Sequence, residues 1–327
     1  MSKCLVLVLF LCSNFVKAQI SPEFSLVKID SIFTFPSDLM SAYPPEVKFG
    51  GISGLEYFEG SLYMVSDRAF KSTENQNSYL FKTENETDIT GAFKFFGVDN
   101  AESIRIDKNS QKMYFAFERE DSTGIGYINE NNVPNNLAVF SMTNDTLTSE
   151  NRGIESLCFD ENRNLWFAFE SSLTGSIPFF TCPFNLENNA YDFNKKQVFQ
   201  YPFDARICLT EKQNLNGNLG NGVTEILPYG TNSLLVMERC FDNAFVTMRL
   251  FKAEIPTVGD TISKEKIFEF TIQNEYLGKN HALKPDNMEG MTWGQNEDGQ
   301  RVLYIISDDN FNPKKQRTLL LKLKNKK

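Results

Sequence analysis

Carboxylates recur in this chain where short hairpins would bring them together. Asp67, Glu118, Glu170, Glu238 and Asp308 each close an apolar run, and Arg68, Arg119 and Arg239 directly follow three of them. Each has a polar counterpart near the start of the preceding run: Ser53, Glu102, Glu155, Thr224 and Glu289. A turn separates the two runs, as Glu59-Gly60-Ser61 does within Gly51–Arg68 (GISGLEYFEGSLYMVSDR). In an antiparallel hairpin the start of the first strand lies beside the end of the second. The pattern therefore predicts three carboxylate pairs, Glu102 with Glu118, Glu155 with Glu170 and Glu289 with Asp308. It predicts two hydroxyl–carboxylate pairs, Ser53 with Asp67 and Thr224 with Glu238.

If these hairpins line one channel, eight carboxylates share its mouth. Crowded carboxylates raise one another's pKa unless cations intervene. Calcium takes six to eight oxygen ligands, and Asp67, Glu102, Glu118, Glu170, Glu238 and Asp308 are the expected ligand set. Glu155 and Glu289 are then candidate bases, and Arg68, Arg119 and Arg239 candidate stabilisers of developing charge. Ser53, Thr224 and Asn310 are the expected substrate contacts. Acids bridged by metal, with arginine forks beside them, suit a phosphate ester. The same pairs can also act as plain ion pairs between blades, and the Gly and Ser near strand starts as turn formers.

The closing carboxylates recur at intervals of roughly 50 residues, rising to about 70 for the last two, with no helical periodicity between them. A strand-rich repeat of that length marks an all-β array, and we expect a single β-propeller. Five hairpin repeats are visible, and the longer intervals leave room for a sixth blade within 171–220. Closure is expected from pairing Phe24–Ile29 with Thr318–Leu323. Continuous apolar runs such as Leu165–Phe169 suit strands covered on both faces. No Pro- or Gly-rich linker divides the chain, so 19–327 reads as one domain.

Residues 1–18 read as a signal peptide, with Lys3, the apolar Leu5–Leu11 and a small-residue cleavage site at Val16-Lys17-Ala18. The mature chain is expected to be secreted or periplasmic, with no membrane span. A net charge of −9, more acidic once Lys3 and Lys17 leave, argues against a nucleic-acid partner. Cys158, Cys182, Cys208 and Cys240 remain; Cys158 reads as a buried thiol, and one disulfide is expected among the other three.

The succession GISGL…VSDR at 51–68, Glu155-Ser156-Leu157…Glu170, Leu235–Arg239 and NMEGM…ISDDNF at 287–311 resembles the phytase-like domain family, described as the esterase-like activity of phytase. That resemblance implies a secreted propeller acting on an ester or phosphoester; it assigns no catalytic residue. Two other functions stay open. One is a binding module whose acids hold structural calcium. The other is a carboxylesterase built on Ser53 and His281, the only histidine, although Gly51–Leu55 lacks the G-x-S-x-G elbow.

Overall fold

A computed structural model describes residues 27–44, 47–68, 70, 77–129, 133–142, 153–171, 175–203, 220–241, 246–270 and 285–325. Strand β1 (Val27–Thr34) precedes the first blade, which comprises β2 (Ile52–Phe58), β3 (Ser61–Ser66), β4 (Asn77–Thr83) and β5 (Gly91–Asp99). Blade 2 holds β6 (Ala101–Ile106), β7 (Met113–Glu118), β8 (Ser122–Ile128) and β9 (Pro134–Ser141). Blade 3 holds β10 (Ile154–Phe159), β11 (Leu165–Phe169) and β12 (Ser176–Cys182), then a side hairpin of β13 (Phe184–Asn185) and β14 (Ala190–Tyr191), and finally β15 (Gln197–Pro202). Blade 4 holds β16 (Gly220–Pro228), β17 (Ser233–Phe241), β18 (Val246–Glu254) and β19 (Ser263–Phe270). Blade 5 is built from β20 (Asn287–Gln295), β21 (Arg301–Asp308), β22 (Leu319–Asn325) and β1.

The chain is a β-propeller of five four-stranded antiparallel blades. Its inner strands β2, β6, β10, β16 and β20 pack in a ring that returns from β20 to β2. Five blades complete the circle where six were expected. The region that had room for another blade instead supplies the outer part of blade 3: β15 pairs with β12 from Ser176↔Pro202 to Thr181↔Gln197. The long interval there reflects insertions, including β13–β14. Closure does come from an N-terminal strand on the C-terminal run, but farther along than the expected Phe24–Ile29: β1 pairs with β22 from Val27↔Asn325 to Thr34↔Leu319, and residues 24–26 lie outside the described residues.

Local chemistry sets the hairpins. Glu59 and Gly60 both take positive φ, 48° and 81°, giving the two-residue turn that joins twisted strands. Asp160 Oδ1 accepts from Asn162 N at 2.9 Å and Asn164 N at 2.8 Å to shape the β10–β11 turn. The apolar runs are buried on both faces; every residue of Leu165–Phe169 is. Aromatic rings join neighbouring blades: Tyr114 of blade 2 meets Phe159 and Tyr191 of blade 3 at 5.2 and 5.6 Å between centroids.

One guanidinium closes the channel. Arg105, 3% exposed, donates to the carbonyls of Leu55 at 2.8 Å, Ile104 at 2.6 Å, Ile226 at 3.3 Å and Met291 at 3.2 Å. These carbonyls come from β2, β6, β16 and β20, four of the five inner strands. Its charge is met by Glu225 at 2.8 Å and Glu56 at 3.7 Å. Burial pushes the Glu225 carboxyl up to about 8, against the pull of Arg105. Removing one partner of a buried pair costs about 3–5 kcal/mol. Arg105→Met should therefore destabilise the fold by about that much above pH 8. The deficit should shrink below pH 8, where Glu225 is already neutral and needs no cation. Urea unfolding at pH 6 and pH 9 measures this, and a deficit that is flat in pH would mean that Arg105 acts through packing alone.

Candidate functional site

Each inner strand carries a β-bulge at the same place. The register shifts at Ser53 in β2, Glu102 in β6, Glu155 in β10, Thr224 in β16 and Glu289 in β20. A bulge adds a residue and re-aims its side chain. Here it does so five times, at the five early positions singled out from the sequence. Opposite them, in the partner strands or one residue past their ends, stand Asp67, Glu118, Glu170, Arg239 and Asp308.

The fourth of these corrects the expected pairing. Val223 pairs with Glu238, and Gly222 with Arg239, so the rim position of blade 4 belongs to the arginine. Glu238 is displaced by one residue, and in a strand that turns its side chain to the other face. It is fully buried, accepting from Tyr201 Oη at 2.7 Å, Asn221 Nδ2 at 2.5 Å and Lys264 Nζ at 2.5 Å. Glu238 is therefore removed from the expected metal ligands.

The remaining acids gather. Glu102, Glu118 and Glu155 each bring a carboxylate oxygen within 4.8 Å of the others. Arg239 reaches Glu170 at 3.1 Å and also binds Glu289 and Asn287. Asn287 Nδ2 donates to Glu289 at 2.7 Å and to Asp308 at 3.4 Å. Asn100 Nδ2 donates to Glu102 at 2.7 Å. Two glycines make these approaches possible. A Cβ at Gly153 would lie 2.8 Å from Glu118 Oε2, whose carboxylate accepts from Gly153 N at 2.7 Å. A Cβ at Gly222 would lie 2.6 Å from Glu170 Oε1.

Burial and mutual repulsion push these carboxyls up. Burial, then the charges of Asp67, Glu118, Glu289 and Asp308, holds Glu102 well above the usual range. Burial, then Glu102, Glu170, Glu118 and Glu289, does the same to Glu155. Asp308 is raised well above its usual value by burial and then by Asp67. Burial lifts Glu118 to about 7 despite the Gly153 hydrogen bond, Glu289 to about 7 despite Arg239, and Asp67 to about 6 despite Arg68. Two buried oxygens at these positions, Asp67 Oδ1 and Thr224 Oγ1, have no hydrogen-bond partner among the described residues. An all-oxygen set of this density fits a hard cation such as calcium, which would draw these carboxyls back to the ionised form.

Other expected site residues lie at the margin or away from the acids. Arg68 is exposed, 3.4 Å from Asp67 and 3.4 Å from Asn310 Oδ1. Arg119 is exposed, with its guanidinium stacked over the Phe117 ring at 4.6 Å. The Ser53 hydroxyl donates to the Ala101 carbonyl. Asn310 and Phe311 both take φ of 49°, and the peptide N–H of Asn310 donates to Asp308 at 2.7 Å. Asp309, 4% exposed, holds the Gly51 and Phe311 N–H groups at 2.9 and 3.0 Å. Its place in the run Asp308-Asp309-Asn310 was a visible signal, as were Asn100 and Asn287 at the repeat starts. Residues 1–18, Cys208 and His281 lie outside the described residues. Cys240 is disulfide-bonded, while Cys158 and Cys182 are buried free thiols.

A family profile described as phytase-like, the esterase-like activity of phytase, matches residues 47–311. The chain belongs to that family. Every rim residue of this phytase-like propeller falls within the matched span. No curated protein matches the chain. Among solved structures, an endo-arabinase from Bacteroides thetaiotaomicron VPI-5482 is similar at 11% identity and a TM-score of 0.50, covering 90% of this chain and 98% of its own. The exo-β-1,3-galactanase 1,3Gal43A from Clostridium thermocellum is similar at 7% identity and a TM-score of 0.53, over 89% of this chain and 62% of its own. At such identities these likenesses speak for the fold alone.

The raised carboxyls predict how stability follows pH. Glu118, Glu289 and Asp67 bind protons more tightly folded than unfolded, so the folded state carries more protons and stability falls as pH rises from about 4 through 7. Cation-free protein should melt at a higher temperature at pH 5 than at pH 8. Millimolar calcium should raise the pH 8 melting temperature and leave the pH 5 value nearly unchanged. Thermal unfolding with and without chelator reads both arms.

Proposed function

We propose that this chain is an exported, calcium-assisted hydrolase of phosphate esters, working at the acid-lined mouth of the propeller. The observation that carries the proposal is the charge balance there: seven carboxylates, Asp67, Glu102, Glu118, Glu155, Glu170, Glu289 and Asp308, surround one inserted guanidinium, Arg239. Such a mouth would repel a phosphate unless it first held cations. The family description supports ester hydrolysis, and the leader-like N-terminus supports export.

Glu102 and Glu118 would hold the cation together with Asp67 and Asp308, with Glu155 beside them. When bound, calcium would offset the phosphate charge and polarise a phosphoryl oxygen. Glu155 or Glu289 would take the proton of the attacking water. Arg239 orients Glu289 and Glu170 on either side of it. Arg68, hydrogen-bonded to Asn310 at the outer edge, would receive free phosphate oxygens entering the mouth. The Thr224 hydroxyl would meet a substrate oxygen. The carboxylesterase alternative is weakened by the Ser53 hydroxyl, which donates to a backbone carbonyl. The binding-module alternative shares the cation and differs in having no turnover.

Purified protein should hydrolyse p-nitrophenyl phosphate in the presence of calcium, and chelation should abolish the activity. Glu155→Gln should lower kcat by about 10²–10⁴-fold while far-UV circular dichroism stays that of the parent. Turnover that survives complete removal of divalent cations would sink the proposal. A calcium-dependent rise in melting temperature, with silence toward a broad ester panel, would favour the binding module.

A further inference from the structure

The opposite mouth of the channel has a different chemistry. On the face where the inner hairpins turn, a cavity of about 710 Å³ opens between Tyr57, Phe58, Lys108, Pro228, Trp293 and Arg301. That volume lies within the range of small-molecule sites. The Arg105 plug, with Glu56 and Glu225, stands between this cavity and the acid-lined mouth.

The cavity wall is fixed in place. Trp293 donates its indole N–H to the Pro228 carbonyl at 2.9 Å and stacks on Tyr229, with centroids 6.2 Å apart and an interplanar angle of 18°. Its ring in turn carries the Arg301 guanidinium at 3.8 Å. Strand register puts Arg301 opposite Gln295, on the same face of the sheet as Trp293. Apart from that ring, the Arg301 side chain makes no hydrogen bond and no ion pair among the described residues. Burial lowers its pKa, and Tyr229 and Glu161 recover only part of the loss. A partly buried guanidinium with five free N–H donors, held flat by an aromatic stack, is set up to bind a carboxylate or phosphate in a fork. Lys108 adds a second positive charge from the β6–β7 turn. Glu59 and Glu161 also line the cavity; like Lys108 they stand on exposed turns, where solvent screens all three charges and leaves the partly buried Arg301 as the least screened.

We propose that this cavity binds an organic anion whose carboxylate or phosphate is held by Arg301 and Lys108 and whose apolar body lies on Tyr57, Phe58 and Pro228. This site does not depend on the hydrolase proposal, because it involves none of the acid-mouth residues.

The full-length protein, with chelator present, would be titrated with phenyl phosphate, benzoate and inorganic phosphate. Tryptophan fluorescence and isothermal calorimetry would follow binding. Phenyl phosphate or benzoate should saturate with a Kd at least tenfold below that of inorganic phosphate, and the tighter of the two identifies the head group. Arg301→Gln should weaken that binding at least tenfold while far-UV circular dichroism and melting temperature stay at the parent level. Should that variant fail to fold, Lys108→Ala on the exposed turn should weaken binding severalfold. The proposal is overturned by no saturable signal with any probe, by inorganic phosphate binding as tightly as the organic anions, or by unchanged affinity in a folded Arg301→Gln.

Discussion

Repulsion between like charges at one opening is the constraint around which this propeller is arranged. Five inner strands converge on a narrow axis, and the bulge in each sends one polar side chain toward it. The strand ends beside those bulges add more carboxylates. A ring of acids this close cannot ionise fully in isolation, as the upward shifts of Glu102, Glu155 and Asp308 express. Arg239 relieves only one side, toward Glu170 and Glu289. Glu102, Glu118 and Glu155 lie together, and of the three only Glu155 is near enough to feel the Arg239 charge. The asymmetry gives the mouth a direction: a fixed guanidinium on one flank and a cluster of three carboxylates on the other.

The same axis is handled differently one layer down. After each bulge the next inner positions are Gly54, Ser103, Ser156, Glu225 and Gly290. Two of them leave no room for a side chain. A Cβ on Gly54 would touch Val65 at 2.9 Å and the Ser103 backbone at 3.0 Å, and one on Gly290 would touch Leu55 at 2.9 Å. Small residues bring the strands close, and close strands turn their carbonyls inward, where Arg105 collects four of them. Glu225 supplies the opposing charge once it ionises, near pH 8. The floor is thus a buried, hydrogen-bonded plug. That plug stands between two mouths whose charges differ in character.

Much of this was legible because strand alternation and turns obey local rules. Asp67, Glu118, Glu170 and Asp308 are where hairpin geometry expects them, and Glu102, Glu155 and Glu289 face them. The closing pair β1–β22 was legible only in outline: the expected Phe24–Ile29 overlaps β1 at Val27–Ile29, while the pairing runs on to Thr34 through the mixed stretch VKIDSIFT. The errors came from what spacing alone cannot encode. Glu238 and Arg239 are adjacent, both polar and both compatible with a strand end. Only the register of β16 on β17 shows that the arginine faces the mouth while Tyr201, Asn221 and Lys264 satisfy the glutamate. The blade count failed similarly. Gln197–Pro202 has the apolar content of a strand, but its partner β12 makes it the edge of blade 3 rather than the start of another. Arg105 was missed because an arginine within an apolar run carries no spacing signal; its role depends on carbonyls from chain segments far from it in sequence.

The likeness to an endo-arabinase and an exo-β-1,3-galactanase speaks for the fold alone, so the chemistry has to be read from the residues the fold carries. A five-bladed ring supplies five equivalent bulges, and what stands at them is free to vary. Here three of the five are glutamates and two are hydroxyls, Ser53 and Thr224. The hydroxyls fall in blades 1 and 4, whose rim partners Asp67 and Arg239 form the ion contacts with Arg68 and with Glu170 and Glu289. Replacing either hydroxyl by a carboxylate would add another charge beside Asp67 or consume the positive charge of Arg239. The distribution of short and long side chains around the ring is therefore what keeps the mouth foldable while leaving it strongly negative. That balance, rather than the propeller itself, is what would give this mouth the affinity for a hard cation that we propose.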